Sequence, residues 1–310
     1  MKNAFLYLIF IAFIGIYGCD KIDNPIPPVF GDVDWSLYPG DSNNYLTLYN
    51  FDDPSSNWSP NINTSKNILL EDFTGHKCVN CPAAAVIAKQ LEDDTLNVVL
   101  VTVHAGPSGN NQLQETDTEF TTDFTTDAGD VYTTDMPGMF ANPLGTINRN
   151  PTGGNNTVWH AASTWVNTVS NETSANLLAN IQVQANHFPS TNGLFIHTEA
   201  EFKDNLSGDY HLIIYLIRES VIAPQKMVDG SIDHHYHHHS ILSDNINGTW
   251  GSLISSGSVD NGTKFYNDFS VQLTDSSIDS TYAINNLSLV TYLCERNTFK
   301  VLQVIKTELN

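Results

Sequence analysis

Apolar positions along the chain follow two rhythms, and the change falls near residue 174. Upstream, Asn67–Phe73 and Asn97–His104 are nearly continuous apolar runs, the pattern of strands covered on both faces. Between them Ala83, Ile87 and Leu91 recur every four residues and predict a helix with one apolar face. Pro82 stands in its first turn, where a missing N–H is tolerated. Strand, helix and strand joined by a short crossover predict parallel pairing. Residues 112–135 are rich in Thr and Asp with sparse apolar spacing, and predict a polar surface helix followed by a loop. Pro143 then leads into a strand through Arg149, and 157–172 reads as a helix with Trp159, Ala162, Trp165, Val166 and Val169 on one side.

Downstream the segments 181–185, 194–202, 210–217, 265–273, 287–293 and 300–309 are β-rich and many alternate. Turn signals separate them, among them Ser190–Gly193, Leu206–Asp209 and Asp260–Gly262. Many short strands with turns at this density predict an antiparallel sandwich. The expected organisation is therefore an α/β unit over 63–174 followed by an all-β sandwich over 175–310. Residues 20–62 are rich in Pro, Asn, Asp and Ser and predict a spacer. Within it Tyr45, Leu46, Leu48, Tyr49 and Phe51 suggest a short strand that docks on the body.

The first residues set the compartment. Lys2, the apolar run Phe5–Ile16 and Gly15-Ile16-Tyr17-Gly18-Cys19 read as a lipoprotein signal peptide over 1–18. The run falls short of the roughly 20 apolar residues of a spanning helix. Cleavage leaves Cys19 as a diacylated anchor at the head of a tether over 19–62, and more than one acyl chain makes such an anchor stable. The whole chain carries a net charge of −21. Removal of 1–18 takes away Lys2 and no acid, so 13 Lys and Arg become 12 against 34 Asp and Glu, a net charge of −22. Such a surface repels phosphate backbones, which excludes nucleic acid as a partner. The membrane contact is then the lipid on Cys19. Which face of the membrane the body occupies is open at this level.

Cysteine placement brings in chemistry. Cys78-Val79-Asn80-Cys81-Pro82 lies between the first apolar run and the helix. Two thiols two residues apart at a helix N-terminus, beside Lys77, can close a small disulfide ring, and dipole and ammonium both favour a thiolate. This placement predicts a thioredoxin-like unit. In a redox role Cys78 attacks and Cys81 resolves the mixed disulfide. Pro143, if cis, packs across the pair; Pro137 is the competing proline. The alternative is a structural disulfide, because Val79-Asn80 is not the Gly-Pro of thioredoxins and no Trp precedes Cys78. Cys294 sits in a strand-like run and is expected as a small buried hydrophobe. In Asp233-His-His-Tyr-His-His-His239 a strand would put His235, His237 and His239 on one face. These are read as an exposed His-rich strand, with no metal site and no cofactor assigned. The acidic residues of 112–135 lack the spacing of a calcium loop.

Together the lipobox cysteine, Leu70-Glu-Asp-Phe-Thr-Gly-His-Lys-Cys-Val-Asn-Cys-Pro82 and Asp127-Ala-Gly-Asp-Val-Tyr132 resemble the Omp28-related outer-membrane lipoproteins. Asn142-Pro-Leu-Gly-Thr-Ile-Asn-Arg149, the His-rich segment and Asn247-Gly-Thr-Trp-Gly251 extend the resemblance over most of the mature chain. It implies a thioredoxin-like domain followed by a β-sandwich, with Cys78 and Cys81 paired and Pro143 and Arg149 as a strand-start motif. Two functions follow as expectations. One is a lipid-anchored binding or assembly component of the envelope, and this is the preferred one. The other is a thiol–disulfide oxidoreductase or isomerase acting on exported proteins, so the chain's standing as an enzyme stays open.

Overall fold

The computed structural model describes residues 33–95, 97–151 and 157–309. The signal peptide and Cys19 lie outside the described residues. Strands are β1 (Ile68–Thr74), β2 (Val98–His104), β3 (Leu144–Ile147), β4 (Ala179–Phe188), β5 (Gly193–Phe202), β6 (Leu206–Ile222) and β7 (Gln225–Lys226). They continue with β8 (Ile232–Asp233), β9 (His237–Asn245), β10 (Ser252–Val259), β11 (Lys264–Gln272), β12 (Leu287–Glu295) and β13 (Val301–Glu308). Helices are α1 (Ser42–Tyr45), α2 (Cys81–Asp94), α3 (Asp127–Asp135) and α4 (Trp165–Glu172).

The main sheet runs in the order β13-β12-β6-β9-β2-β1-β3, with β10 also pairing β6. β1 and β2 are parallel, as the strand–helix–strand pattern requires, and β3 closes the edge antiparallel to β1. The seam is β2 beside β9, a parallel contact at Thr102 and Ile241. Strands from both sides of position 174 thus share one sheet, and one buried cluster takes Leu69 and Val103 together with Tyr215 and Tyr292. The two expected units are joined by backbone pairing rather than closed around separate cores.

Alternation along β1 decides what covers each face. Ile68 and Leu70 pack against Ala84, Ala88 and Leu91 of α2 and Trp165 of α4, while Leu69 and Phe73 face the cluster under α3. Along β6, Leu212, Ile214 and Leu216 point the other way from Ile213, Tyr215 and Ile217 and meet the second sheet, β11-β5-β4. The β-rich half is therefore the expected antiparallel sandwich.

Gly145 fixes the edge. A Cβ there would fall 2.6 Å from the Trp165 ring and 2.7 Å from the Glu71 carbonyl oxygen. Gly145→Ala should lose about 1–3 kcal/mol through overpacking, read as a lower urea midpoint at unchanged slope; an unchanged midpoint would mean α4 is free to move aside.

Three local expectations are corrected. In 112–135 the order is reversed, loop first and then α3, because Thr126 caps the helix with its hydroxyl on the Gly129 N–H. Residues 42–45 form a turn of helix rather than a strand, capped by Asp41. From Val33 onward this segment is packed on the outer face of β5: Tyr49 stacks on His197 with ring centres 3.7 Å apart, and the Tyr45 hydroxyl lies 2.9 Å from His197 Nε2. The helix expected over 157–172 is shortened to its C-terminal part, because His160 instead pairs its backbone with Gly145.

Candidate functional site

The site is built at the junction of β1 and α2. Cys78 and Cys81 form a disulfide with Cα atoms 5.4 Å apart, and Cys81 is the first residue of α2. Both are buried, at 4% and 1% exposure. The peptide bond between Asn142 and Pro143 is cis, that of Pro137 is not, and Pro143 leads into β3. Asn142 is held against the ends of β1 and β2, its amide donating to the carbonyls of Phe73 and Ala105 at 3.0 Å each. Lys77 is occupied elsewhere: its ammonium pairs with Asp117 at 2.8 Å and lies over the Phe120 ring.

Two residues that sequence reasoning passed over dominate the chemistry here. Asp72 shares the α2 face of β1 with Leu70 and Thr74. It is 1% exposed, and neither carboxylate oxygen has a hydrogen-bond partner. Burial pushes its carboxyl up to about 7. Its strand neighbour Thr74 lines a small cavity of about 30 Å³ together with Cys81, Gln225 and Tyr236, and burial, then the Asp72 carboxylate, raises the Tyr236 hydroxyl. Its placement six residues before Cys78 was visible in the sequence, where it read only as one polar position in an apolar strand. Gln225 comes from β7, far along the chain. Its side-chain amide donates to the Cys78 carbonyl at 3.1 Å and toward that of Gly75 at 3.4 Å.

The same cavity is lined by His237, His238 and His239, so the two conspicuous motifs of the sequence meet in space. The expected alignment of His235 with His237 and His239 does not form, because β9 begins only at His237 and His235 lies in a turn. His238 turns inward and its ring centre is 5.6 Å from that of His104. Burial, then the neighbouring His76, pushes His238 down to about 4. Burial, followed by His238 and His76, holds His104 well below the ordinary imidazole value. Both shifts favour the neutral imidazole at pH 7. Among the described residues no three or more His, Cys, Asp or Glu are grouped so as to hold a metal ion. Cys294 is buried, and burial pushes its thiol up to about 12, which leaves it a packing residue as expected.

A second buried constellation ties the two halves together. Asn148 and Arg149 both take left-handed backbone, φ 49° each, and this turn aims Arg149 back into the sheet. Its Nε and Nη2 donate to Glu71 Oε2 and Oε1 at 2.8 and 2.7 Å. The Tyr215 hydroxyl donates to Glu71 at 3.1 Å and meets the Tyr292 hydroxyl at 2.6 Å. The guanidinium lies 4.5 Å from the Tyr132 ring centre. Burial raises the Glu71 carboxyl, but Arg149 and the hydrogen bonds of Thr146 and Tyr215 hold it below the usual glutamate range.

Residues 134–310 match the family model described as Outer membrane protein Omp28. The chain belongs to the Omp28 family. Among solved structures, HBP35 of Porphyromonas gingivalis aligns with a TM-score of 0.59 at 14% identity, covering 80% of this chain and 76% of that one, a likeness of fold. A domain of the outer membrane lipoprotein Omp28 from Porphyromonas gingivalis aligns at 17% identity over 43% of this chain and 88% of its own, with a TM-score of 0.29. No curated protein matches the sequence. Membership makes this Omp28-family chain an envelope protein, and among the described residues no helix is long and apolar enough to cross a membrane.

Proposed function

We propose that this chain is an outer-membrane protein, lipid-anchored through Cys19, that exchanges disulfides with exported proteins through Cys78 and Cys81. The observation that carries the reading is Asp72, a buried carboxyl with no partner, on the strand that leads into the cysteine loop. An orphaned buried acid costs stability, and such groups cluster where protons are moved. A thioredoxin-like unit over 63–174, with the tether of 19–62 ahead of it and the sandwich of 175–310 behind it, is part of this reading.

The exchange balances within the site. A client thiolate attacks Cys78 Sγ, the Cys78–Cys81 bond breaks, and a mixed disulfide forms. Cys81 leaves as a thiolate and takes the proton of Asp72. The client's second thiolate then attacks its own sulfur in the mixed disulfide, releasing Cys78 as a thiolate. Two electrons pass from the client dithiol to the cysteine pair, and the client leaves with a disulfide; the reverse sequence reduces a client disulfide. Pro143, at the start of the edge strand, supplies the backbone beside which a client segment would lie.

A binding or assembly role without exchange is favoured by one observation, the burial of both cysteines. The Cys81→Ser variant separates the two. Exchange predicts that Cys78, left without its resolving partner, accumulates mixed disulfides with envelope proteins, visible on non-reducing gels and lost on adding thiol. Absence of such adducts, with a potential of the wild-type pair below about −300 mV, would leave a structural staple and a binding protein.

A further inference from the structure

The backbone of the cysteine loop is met by a distant piece of its own chain. Between β6 and β9 the chain leaves the sheet at Ala223 and returns at Tyr236, whose carbonyl accepts the Ala223 N–H at 3.1 Å. The excursion folds into the small hairpin of β7 and β8, which pair at only two positions. Its tip is exposed, with Val228 at 79%, and of its side chains beyond Ala223 only Gln225 is buried. That one side chain, with one backbone N–H, meets the cysteine loop. The Gln225 amide donates to the Cys78 carbonyl at 3.1 Å, and the Lys226 N–H donates to the His76 carbonyl at 2.8 Å. These carbonyls are the backbone edge of the cysteine loop, and an extended client chain would offer its own N–H groups to them in place of the hairpin's.

We propose that the β7–β8 hairpin is an intramolecular lid that occupies the client-binding edge of the cysteine loop and must swing away before the Cys78–Cys81 disulfide can be attacked. This rests on the exchange reading above as far as the client is concerned; the seat of the hairpin on the cysteine loop does not. The lid fits an extended, unfolded segment carrying a cysteine, because what it replaces is backbone hydrogen bonding and not a shaped side-chain pocket. Its hold is weak by construction. One glutamine, one backbone bond and the exposed His234–Glu119 pair are what an opening must break, and such elements belong to the low-stability end of a fold.

The test uses the intact chain and tris(2-carboxyethyl)phosphine, which is oxidised to its oxide with water as the disulfide takes up two electrons and two protons. Two variants loosen the lid independently: Gln225→Ala, and replacement of 226–232 by Gly-Gly. The expected result is a phosphine reduction rate at least about tenfold above wild type in both. Rates within twofold of wild type in both variants would overturn the lid, whatever the protein does to clients. Reduction of insulin disulfides is followed in parallel. A faster phosphine reaction with insulin turnover raised in step supports lid and exchange together. A faster phosphine reaction with no insulin turnover in any form supports the lid and removes the exchange reading.

Discussion

Asp72→Asn is expected to be more stable than the wild type at pH 8, by up to about 4 kcal/mol, while the two converge near pH 4. The carboxyl sits at about 7 in the fold against an ordinary value of 3.8. Its folded value is the higher one, so the folded state holds a proton that the unfolded chain releases between those two pH values. The contribution to stability is therefore complete below about 4 and is lost as pH rises toward 7. Urea unfolding of both proteins across pH 4–8, with the disulfide intact, measures the difference directly. A difference that stays constant over that range would mean the carboxyl is solvated or paired. The same variant should slow exchange with insulin by at least about tenfold, because Cys81 then leaves without a proton donor. Gain in stability with loss of turnover is the signature of a group kept for chemistry. Loss of neither would return Asp72 to the packing residues.

Arg149→Met should have the opposite sign and a similar size. Arg149 and Glu71 are both wholly buried and joined by two hydrogen bonds, with Tyr215 and Tyr292 completing the set. Removing the guanidinium leaves a carboxylate inside the sheet without its counter-charge, a loss of about 3–5 kcal/mol. Denaturant unfolding at pH 7 reads it. Replacing both partners, Glu71→Leu with Arg149→Met, should restore a large part of the loss, since a buried pair exchanged for apolar groups of similar volume is often neutral. If the double variant is no better than the single one, the network matters through its hydrogen bonds to Thr146 and Tyr215 and not through charge. Glu71 is held below the glutamate value of 4.5, so its contribution is present above that value and lost only as pH falls through the depressed one. The two buried acids of β1 thus act on stability in different pH windows, Glu71 in the acid range and Asp72 toward neutrality.

These residues also mark how far the sequence could be read. β1, α2, β2 and β3 were legible because each carries its own local signal: unbroken apolar runs, a four-residue recurrence, and prolines at element starts. Most strands of the sandwich announced themselves by alternation. β10 did not, since half of Ser252–Val259 is serine and a glycine stands at φ 81°, and its pairing with β6 rather than its side chains makes it a strand. Docking of 33–58 was legible in its aromatics, but its form, a helical turn and not a strand, was not. A stretch rich in polar turn residues is ordered by where its few aromatics land, and Tyr45 and Tyr49 land on His197 of β5.

What the sequence determined by itself is local and periodic: the α/β and β-rich halves, the cysteine pair at the start of α2, the proline before β3, and the family to which the chain belongs. All but the family follow from spacing between neighbouring residues, which the chain carries with it before it folds; the family follows from the likeness of its motifs. Tertiary structure decided everything that depends on residues far apart in number. It joined both halves in one sheet through β2 and β9, paired Glu71 with Arg149, left Asp72 buried without a partner, and set Gln225 over the Cys78 carbonyl. A residue's polarity is written in the sequence; whether that polarity is solvated, paired or stranded is settled only by what the fold packs against it.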